Sequence, residues 1–239
     1  MLILPVTTVR ASDEDPTALI STNKGEIEIE LYQNDAPETV DNFIKYAEDG
    51  FYEGLIFHRV IEAFMIQGGG FYPDMEQKDP TYDPIENEAE ESGHRNKRGT
   101  IAMARTQDPH SATSQFFINH QDNDDLDWDR AQDGWGYCVF GEVVRGMSVV
   151  DEIATVETTS VPGHDDVPVE DVVIEEVSIS YTETDNGETD NGEVANGNDE
   201  VDDGDRFYEN PMFLLVFVSL VAALGIILVL RRFEDRDEE

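Results

Sequence analysis

Four of the side chains that could do chemistry, Arg59, Phe64, Met65 and Gln67, fall in one run, Phe57-His58-Arg59-Val60-Ile61-Glu62-Ala63-Phe64-Met65-Ile66-Gln67-Gly68-Gly69-Gly70. Arg59 is its centre. A guanidinium is always charged and offers a rigid fork of donors, suited to stabilising electron density that appears only in a transition state. Taken alone, in a chain so rich in carboxylates, an arginine is more ordinarily a surface ion-pair partner. Other chemistries find no support. The histidines His58, His94, His110, His120 and His164 lack metal-ligand spacing. Asp125, Asp127 and Asp129 imitate the start of a calcium loop, but Arg130 stands at the required glycine and Gly136 at the bidentate glutamate. Gly68–Gly70 are not followed by the Gly-Lys-Ser/Thr of a phosphate loop, and backbone freedom at a strand end is the better reading. There is no nucleophile motif. No metal and no cofactor are expected.

The run resembles the pattern Phe-His-Arg-Val-Ile-x-x-Phe-Met-x-Gln-Gly-Gly of the cyclophilins. Three further blocks match in order: Arg98-Gly99-Thr100-Ile101-Ala102-Met103-Ala104-Arg105, then Ser111-Ala112-Thr113-Ser114-Gln115-Phe116-Phe117-Ile118-Asn119, then Gly136-Tyr137-Cys138-Val139-Phe140-Gly141-Glu142-Val143. The resemblance spans about residues 20–181 and is closest to bacterial-type members. It implies a closed eight-stranded antiparallel β-barrel with two capping helices and a groove on its outer surface. It also implies a reaction, cis–trans rotation about X–Pro bonds, with no cofactor and no covalent intermediate.

That reaction makes sense of the residue types. The uncatalysed barrier is about 18–20 kcal/mol because amide resonance must be broken. As the bond twists, the prolyl nitrogen turns pyramidal and regains a lone pair, so a cationic donor aimed at it binds the twisted state better than the planar one. The resemblance gives Arg59 this role. It gives Gln67 and Gln115 the task of bonding substrate backbone or orienting the arginine. It places Phe64, Met65, Phe117, Leu126 and Tyr137 around the proline ring, and Ala104 and Arg105 along the part of the groove that takes the preceding residue. Phe116 and Phe117 are neighbours on a strand and point to opposite faces; the match assigns Phe117 to the groove. Three positions depart from the pattern. Asp125 stands where many members carry a pocket tryptophan, which puts cyclosporin-type inhibitor binding in question; Trp128 is close in sequence. Tyr137 stands where many members have histidine. Glu62-Ala63 replaces a common Pro-Gly.

The elements that must position these groups are legible as patterns. Ile27, Ile29 and Leu31 alternate with glutamates in Gly25–Tyr32, a half-buried strand. A three-turn helix follows, with Pro37 in its first turn, an apolar stripe of Val40, Phe43, Ile44 and Ala47, and Gly50 to end it. Short β-like runs are expected at Ile56–Ile61, Phe64–Gln67, Thr100–Ala104, Gln115–Asn119, Tyr137–Val144 and Val172–Tyr181. A second helix fits Ser148 to about Ala154, with Ser148 as candidate N-cap and Val149, Val150 and Ile153 inward.

The 239-residue chain is expected to divide into an N-terminal extension at 1–20, the isomerase domain at 21–181, an acidic disordered linker at 182–210, a transmembrane helix at 211–232 and a short charged tail at 233–239. The extension reads as a ragged terminus or as the stump of a signal peptide. The linker repeats Thr-Asp-Asn-Gly-Glu and holds eleven carboxylates, too polar to offset its ordering entropy. Residues 212–230 carry no charge and suffice for a ~30 Å hydrocarbon core. Arg231-Arg232 beyond them place the C-terminus in the cytoplasm and the domain outside; a tail-anchored topology, with the domain inside, is the competitor.

Charge excludes one class of partner. With 54 acidic and 15 basic side chains, net −39, nucleic-acid binding is not expected. Only four of the basic residues are lysine, a balance that suits a salt-accumulating microbe, where a Debye length of about 3 Å at molar salt screens the repulsion. The expected function is a monomeric, membrane-tethered isomerase acting on proline-containing polypeptides. The alternatives are a catalytically weak Pro-peptide binding module and a membrane-assembly module.

Overall fold

The structure is a computed structural model that describes residues 15–181. The expected linker, the transmembrane helix at 211–232 and the charged tail lie outside the described residues. Among the described residues, no helix is long and apolar enough to cross a membrane.

Ten strands and three α-helices run in the order β1 (Thr17–Thr22), β2 (Gly25–Leu31), α1 (Pro37–Glu48), β3 (Arg59–Ile61), β4 (Met65–Gly68), α2 (Ala89–Ser92), β5 (Thr100–Met103), β6 (Phe116–Asn119), β7 (Val139–Arg145), α3 (Met147–Ala154), β8 (Thr158–Val161), β9 (His164–Pro168) and β10 (Ile174–Ser180). Eight strands form one curled antiparallel sheet, β10-β1-β2-β7-β5-β6-β4-β3, and β8 and β9 form a separate hairpin. The expected closed barrel is corrected to this curled sheet with a stitched seam. β3 and β10 share no ladder; the seam is held where Ile56 bridges Val173 and Phe57 N–H reaches Val172 O at 2.9 Å. The expected continuous strand Ile56–Ile61 therefore divides into a bridge and a three-residue strand. Its second half leaves the seam to pair with β4.

The domain also begins earlier than residue 21. β1 starts at Thr17 and lies between β10 and β2, with Ala18, Ile20 and Thr22 buried. The three share one face because strand side chains alternate.

Both expected helices are present. On α1, Val40, Phe43, Ile44 and Ala47 are buried. Ala36 at its N-cap has no acceptor to offer, so the Glu88 carboxylate serves instead, accepting from Glu38 N–H at 3.2 Å and Thr39 N–H at 2.8 Å. Such a carboxylate satisfies orphan donors and complements the helix dipole. α3 starts one residue earlier than expected, and its cap is Gly146, not Ser148. Gly146 has φ 88°, and a Cβ there would meet Glu26 O at 2.1 Å, so only glycine turns the chain from β7 into the helix.

Alternation along the central strands sorts their side chains onto two faces. Ile66, Ile101, Phe116, Ile118 and Phe140 join Phe43, Tyr52 and Phe57 in the main core. Met65, Ala102, Phe117 and Val139 form a second, smaller apolar cluster on the opposite face. Phe116 packs edge-on against Phe43, Tyr52 and Phe57.

Candidate functional site

The second cluster is the floor of a groove. Strand register builds it: Arg59 pairs with Gln67, Gln67 with Phe117, Phe117 with Ala102, and Ala102 with Val139. Register partners in a sheet share a face. One row across five strands therefore runs from a cation through a carboxamide to an apolar floor. Met65, two residues from Gln67, stands beside this row.

Arg59, Phe64, Met65, Gln67, Ala104, Arg105, Phe117, Leu126 and Tyr137 line a cavity of about 140 Å³. These are nine of the ten residues expected from sequence. The cavity is short of the roughly 300 Å³ at which pockets enclose a drug-sized molecule. It suits one small ring of a larger substrate lying across the surface. Gln115, the tenth, stands just outside, accepting from Gln67 Nε2 at 3.1 Å. A Cβ on Gly70 would lie 2.5 Å from Gln115 Cδ, so glycine there leaves room for this pair.

Arg59 remains accessible. Its side chain is 44 % exposed, and its ion pair is with Asp166, whose Oδ2 lies 3.9 Å from Nε. That distance is too long for a hydrogen bond, so the fork keeps donors for a ligand.

Arg105 contrasts with it. Its side chain is 3 % exposed. Nε and Nη2 donate to Gly136 O at 3.0 and 2.8 Å, Nη1 donates to Thr106 O at 3.0 Å, and Nη2 also bonds Asp133. Its guanidinium carbon sits 4.5 Å from the centre of the Tyr137 ring, which meets Phe117 edge-on at 5.7 Å. Arg105 lines the groove, but as a clamp behind Tyr137 whose donors are committed. Burial pushes the Asp133 carboxyl up. Hydrogen bonds from Trp135 N–H, Arg105 and Gly136 N–H, with the Arg105 charge, outweigh it and hold the group down at about 2.

Leu126 belongs to a single 3-10 turn, Asp124–Leu126, whose carbonyl accepts Tyr137 N–H at 3.0 Å. A buried polar knot secures this loop. Asp127 accepts Asn96 N–H at 2.7 Å, and Asn96 Nδ2 donates to the carbonyls of Leu126 and Tyr137. Asp125 is exposed. Trp128 packs on the main core rather than lining the groove, so it does not replace a pocket tryptophan.

Sequence reasoning missed the β8–β9 hairpin that brings Asp166 to Arg59. Pro162-Gly163 was the available turn signal. Between hairpin and sheet lies a second concavity of about 430 Å³, sharing Arg59 and Gln67 with the groove and adding His58, Gln115 and His164. His58 is buried with Nδ1 unpartnered. Burial, reinforced by the His164 and Arg59 charges, holds its imidazole down at about 4, against a smaller raising effect of the Ile56 backbone.

Comparison with known proteins points the same way. The profile described as "Cyclophilin type peptidyl-prolyl cis-trans isomerase/CLD" matches residues 17–179. The chain is 59% identical over 150 residues to peptidyl-prolyl cis-trans isomerase B of Escherichia coli, covering 62% of this chain and 90% of the relative. It is 56% identical over 155 residues to a peptidyl-prolyl cis-trans isomerase of Streptomyces antibioticus, covering 64% and 92%. Among solved structures, a Cryptosporidium parvum cyclophilin-type isomerase determined in the presence of the dipeptide Ala-Pro superposes with a TM-score of 0.59 at 24% identity. It covers 70% of this chain and 99% of that one, a likeness of fold.

Proposed function

The chain belongs to the cyclophilin-type peptidyl-prolyl cis–trans isomerases, and from that premise we propose that it turns X–Pro bonds with Arg59 as the group that stabilises the twisted amide. The observation that carries this role is the placement of an accessible guanidinium and a ring-sized apolar floor in one register row. A proline ring seated on Phe117, Met65 and Phe64 sets its nitrogen toward the Arg59 edge. Donation to that nitrogen grows only as the amide loses planarity, so the interaction favours the transition state over either ground state. Gln67, fixed by Gln115, keeps a polar group at the same edge for substrate backbone.

The finer reading is a folding aid at a membrane. Its support is the uncharged run 212–230 with Arg231-Arg232 behind it. We place the domain outside, tethered by the acidic 182–210 segment, acting as a monomer on proline-containing polypeptides in a salt-rich setting. Isomerisation of a proline tetrapeptide at molar salt, with wild type and Arg59→Ala, tests the chemistry. No acceleration by wild type removes the catalytic reading; an Arg59→Ala variant as fast as wild type removes the role of Arg59. Protease access to the domain in intact cells tests the topology, and protection of the domain overturns the outward placement.

A further inference from the structure

Ala63 occupies the turn between β3 and β4 at φ 54°, a left-handed conformation that costs a non-glycine residue about 1–2 kcal/mol. The next residue, Phe64, lines the groove, and Arg59 enters the hairpin from its other arm. Asn123 Nδ2 donates to Phe64 O at 2.8 Å and Phe64 N–H to Ile61 O at 3.1 Å, but the N–H of the strained residue itself is held by one side chain. His120 Nδ1 accepts Ala63 N–H at 3.0 Å. Its backbone N–H donates to Phe64 O at 2.9 Å. Its other ring nitrogen, Nε2, meets Asp151 Oδ1 on α3 at 3.1 Å. Asp151 is itself held by Arg98, whose Nη2 reaches both carboxylate oxygens at 2.8 and 2.9 Å while Nη1 donates to His120 O at 2.8 Å.

We propose that His120 is a positioning residue for the isomerase reaction, and that its protonation loosens the β3–β4 turn and lowers activity. The inference rests on the reading of Arg59 and Phe64 as parts of the reactive groove.

The bonding pattern sets the tautomer. Ala63 N–H can only donate, so Nδ1 must carry a lone pair; the carboxylate of Asp151 can only accept, so Nε2 carries the proton. A neutral imidazole serves both ends at once. Added protonation leaves the Asp151 contact intact but turns Nδ1 into a donor facing the Ala63 donor. Ala63 then keeps its strained backbone without the bond that offsets it, and Phe64 is held less firmly at the groove rim. Histidine is the side chain that changes charge in the range about pH 5–8. The charged groups around the ring are Asp151 on α3, Arg98 ahead of β5, Glu62 beside Ala63 in the turn, and Asp122 two residues beyond His120, which accepts Arg98 N–H at 3.0 Å.

Two substitutions separate the ends of the ring. In His120→Asn the amide lies near the position of Nδ1 and keeps an acceptor for Ala63 that does not titrate. In His120→Gln the amide lies near Nε2, keeping Asp151 and losing Ala63. The experiment is kcat/KM of the full chain on a proline tetrapeptide from pH 8.5 to 5.5, with near-UV circular dichroism of each variant. Wild type is expected to lose about fivefold toward pH 5.5, the rate equivalent of one hydrogen bond. His120→Asn is expected to be active with that acid limb removed. His120→Gln is expected to be about fivefold slower at pH 8 with a native spectrum. A flat wild-type profile, an acid limb that persists in His120→Asn, or a folded His120→Gln with wild-type rates overturns the proposal. If His120→Gln does not fold, the His120→Asn profile decides alone. Wild-type activity at pH 8 tests the underlying isomerase reading separately, since the limb can be absent while activity is present.

Discussion

Arg59 and Gln67 are register partners across the β3–β4 ladder, and their side chains leave the sheet on the same face. This pairing joins the cation to the apolar floor without any loop in between. The backbone of Arg59 is therefore set by strand pairing and not by a loop, which suits a preorganised electrostatic site.

Removing that cation should be felt mainly in catalysis. Arg59→Ala is expected to lower kcat/KM by about 10²–10³, the range for losing one preorganised donor, with little change in melting temperature because the side chain is half exposed. Arg59→Lys should fall between, since an ammonium keeps charge but not the fork. Tetrapeptide kinetics alongside thermal unfolding check both statements.

Arg105 should behave in the opposite way. Arg105→Lys cannot reproduce donation to Gly136 O, Thr106 O and Asp133 together, so carbonyl acceptors around it lose partners. A loss of about 2 kcal/mol in unfolding free energy is expected. A smaller loss in kcat should follow as Tyr137 loses the planar guanidinium stacked on its ring. Urea unfolding read against the kinetics separates the two effects.

His58 makes stability depend on pH. Its imidazole titrates near 4 in the fold and near 6.5 when unfolded, so between these values the unfolded chain binds more protons. Stability should therefore decline as pH falls through that window, by on the order of 3 kcal/mol from this group. A His58 ring-proton titration by NMR checks the cause; a midpoint at 6 or above would contradict it.

Burial pushes the Cys138 thiol up to about 12. Since the thiolate is the reactive form, a thiol reagent at pH 8 should label the native protein only at the rate of unfolding. Labelling in strong denaturant should be immediate.

Gly70→Ala probes the carboxamide pair. The added methyl must displace Gln115, freeing Gln67. Activity is expected to fall several-fold, the scale of one lost hydrogen bond of about 1 kcal/mol, with Arg59 and the floor untouched. Kinetics at fixed pH, with circular dichroism as a control, would show it.

Much of the groove was legible because alternation is local. Once Phe116 is inward, Phe117 must be outward, and the same rule carries Met65 and Gln67 to one face. The resemblance supplied which face mattered. What escaped the sequence depends on distant partners. β1 looked like a mixed terminus because its value lies in strands on either side of it. The Ser148 cap was a reasonable local choice, overridden by the 2.1 Å approach that demands glycine at Gly146. The bonds that occupy the Arg105 donors depend on loop carbonyls, Gly136 O and Thr106 O, whose geometry no local pattern fixes. Asp166 and His120 carry no motif: the β8–β9 hairpin brings Asp166 to Arg59, and the β4–β6 pairing sets His120 against the turn, where Asp151 of α3 meets it.

The placement of β1 between β2 and β10 has a consequence for how the domain is made. Thr17 is matched with Ser180, 163 residues later in the chain. β1 leaves the ribosome first and can find β2 at once, yet it waits for its other neighbour until nearly the whole domain has been synthesised. At roughly 5–20 residues per second, that delay is about ten to thirty seconds. An unassisted X–Pro rotation takes tens of seconds or more, so the last strand of this enzyme arrives on the same clock as the reaction it speeds up.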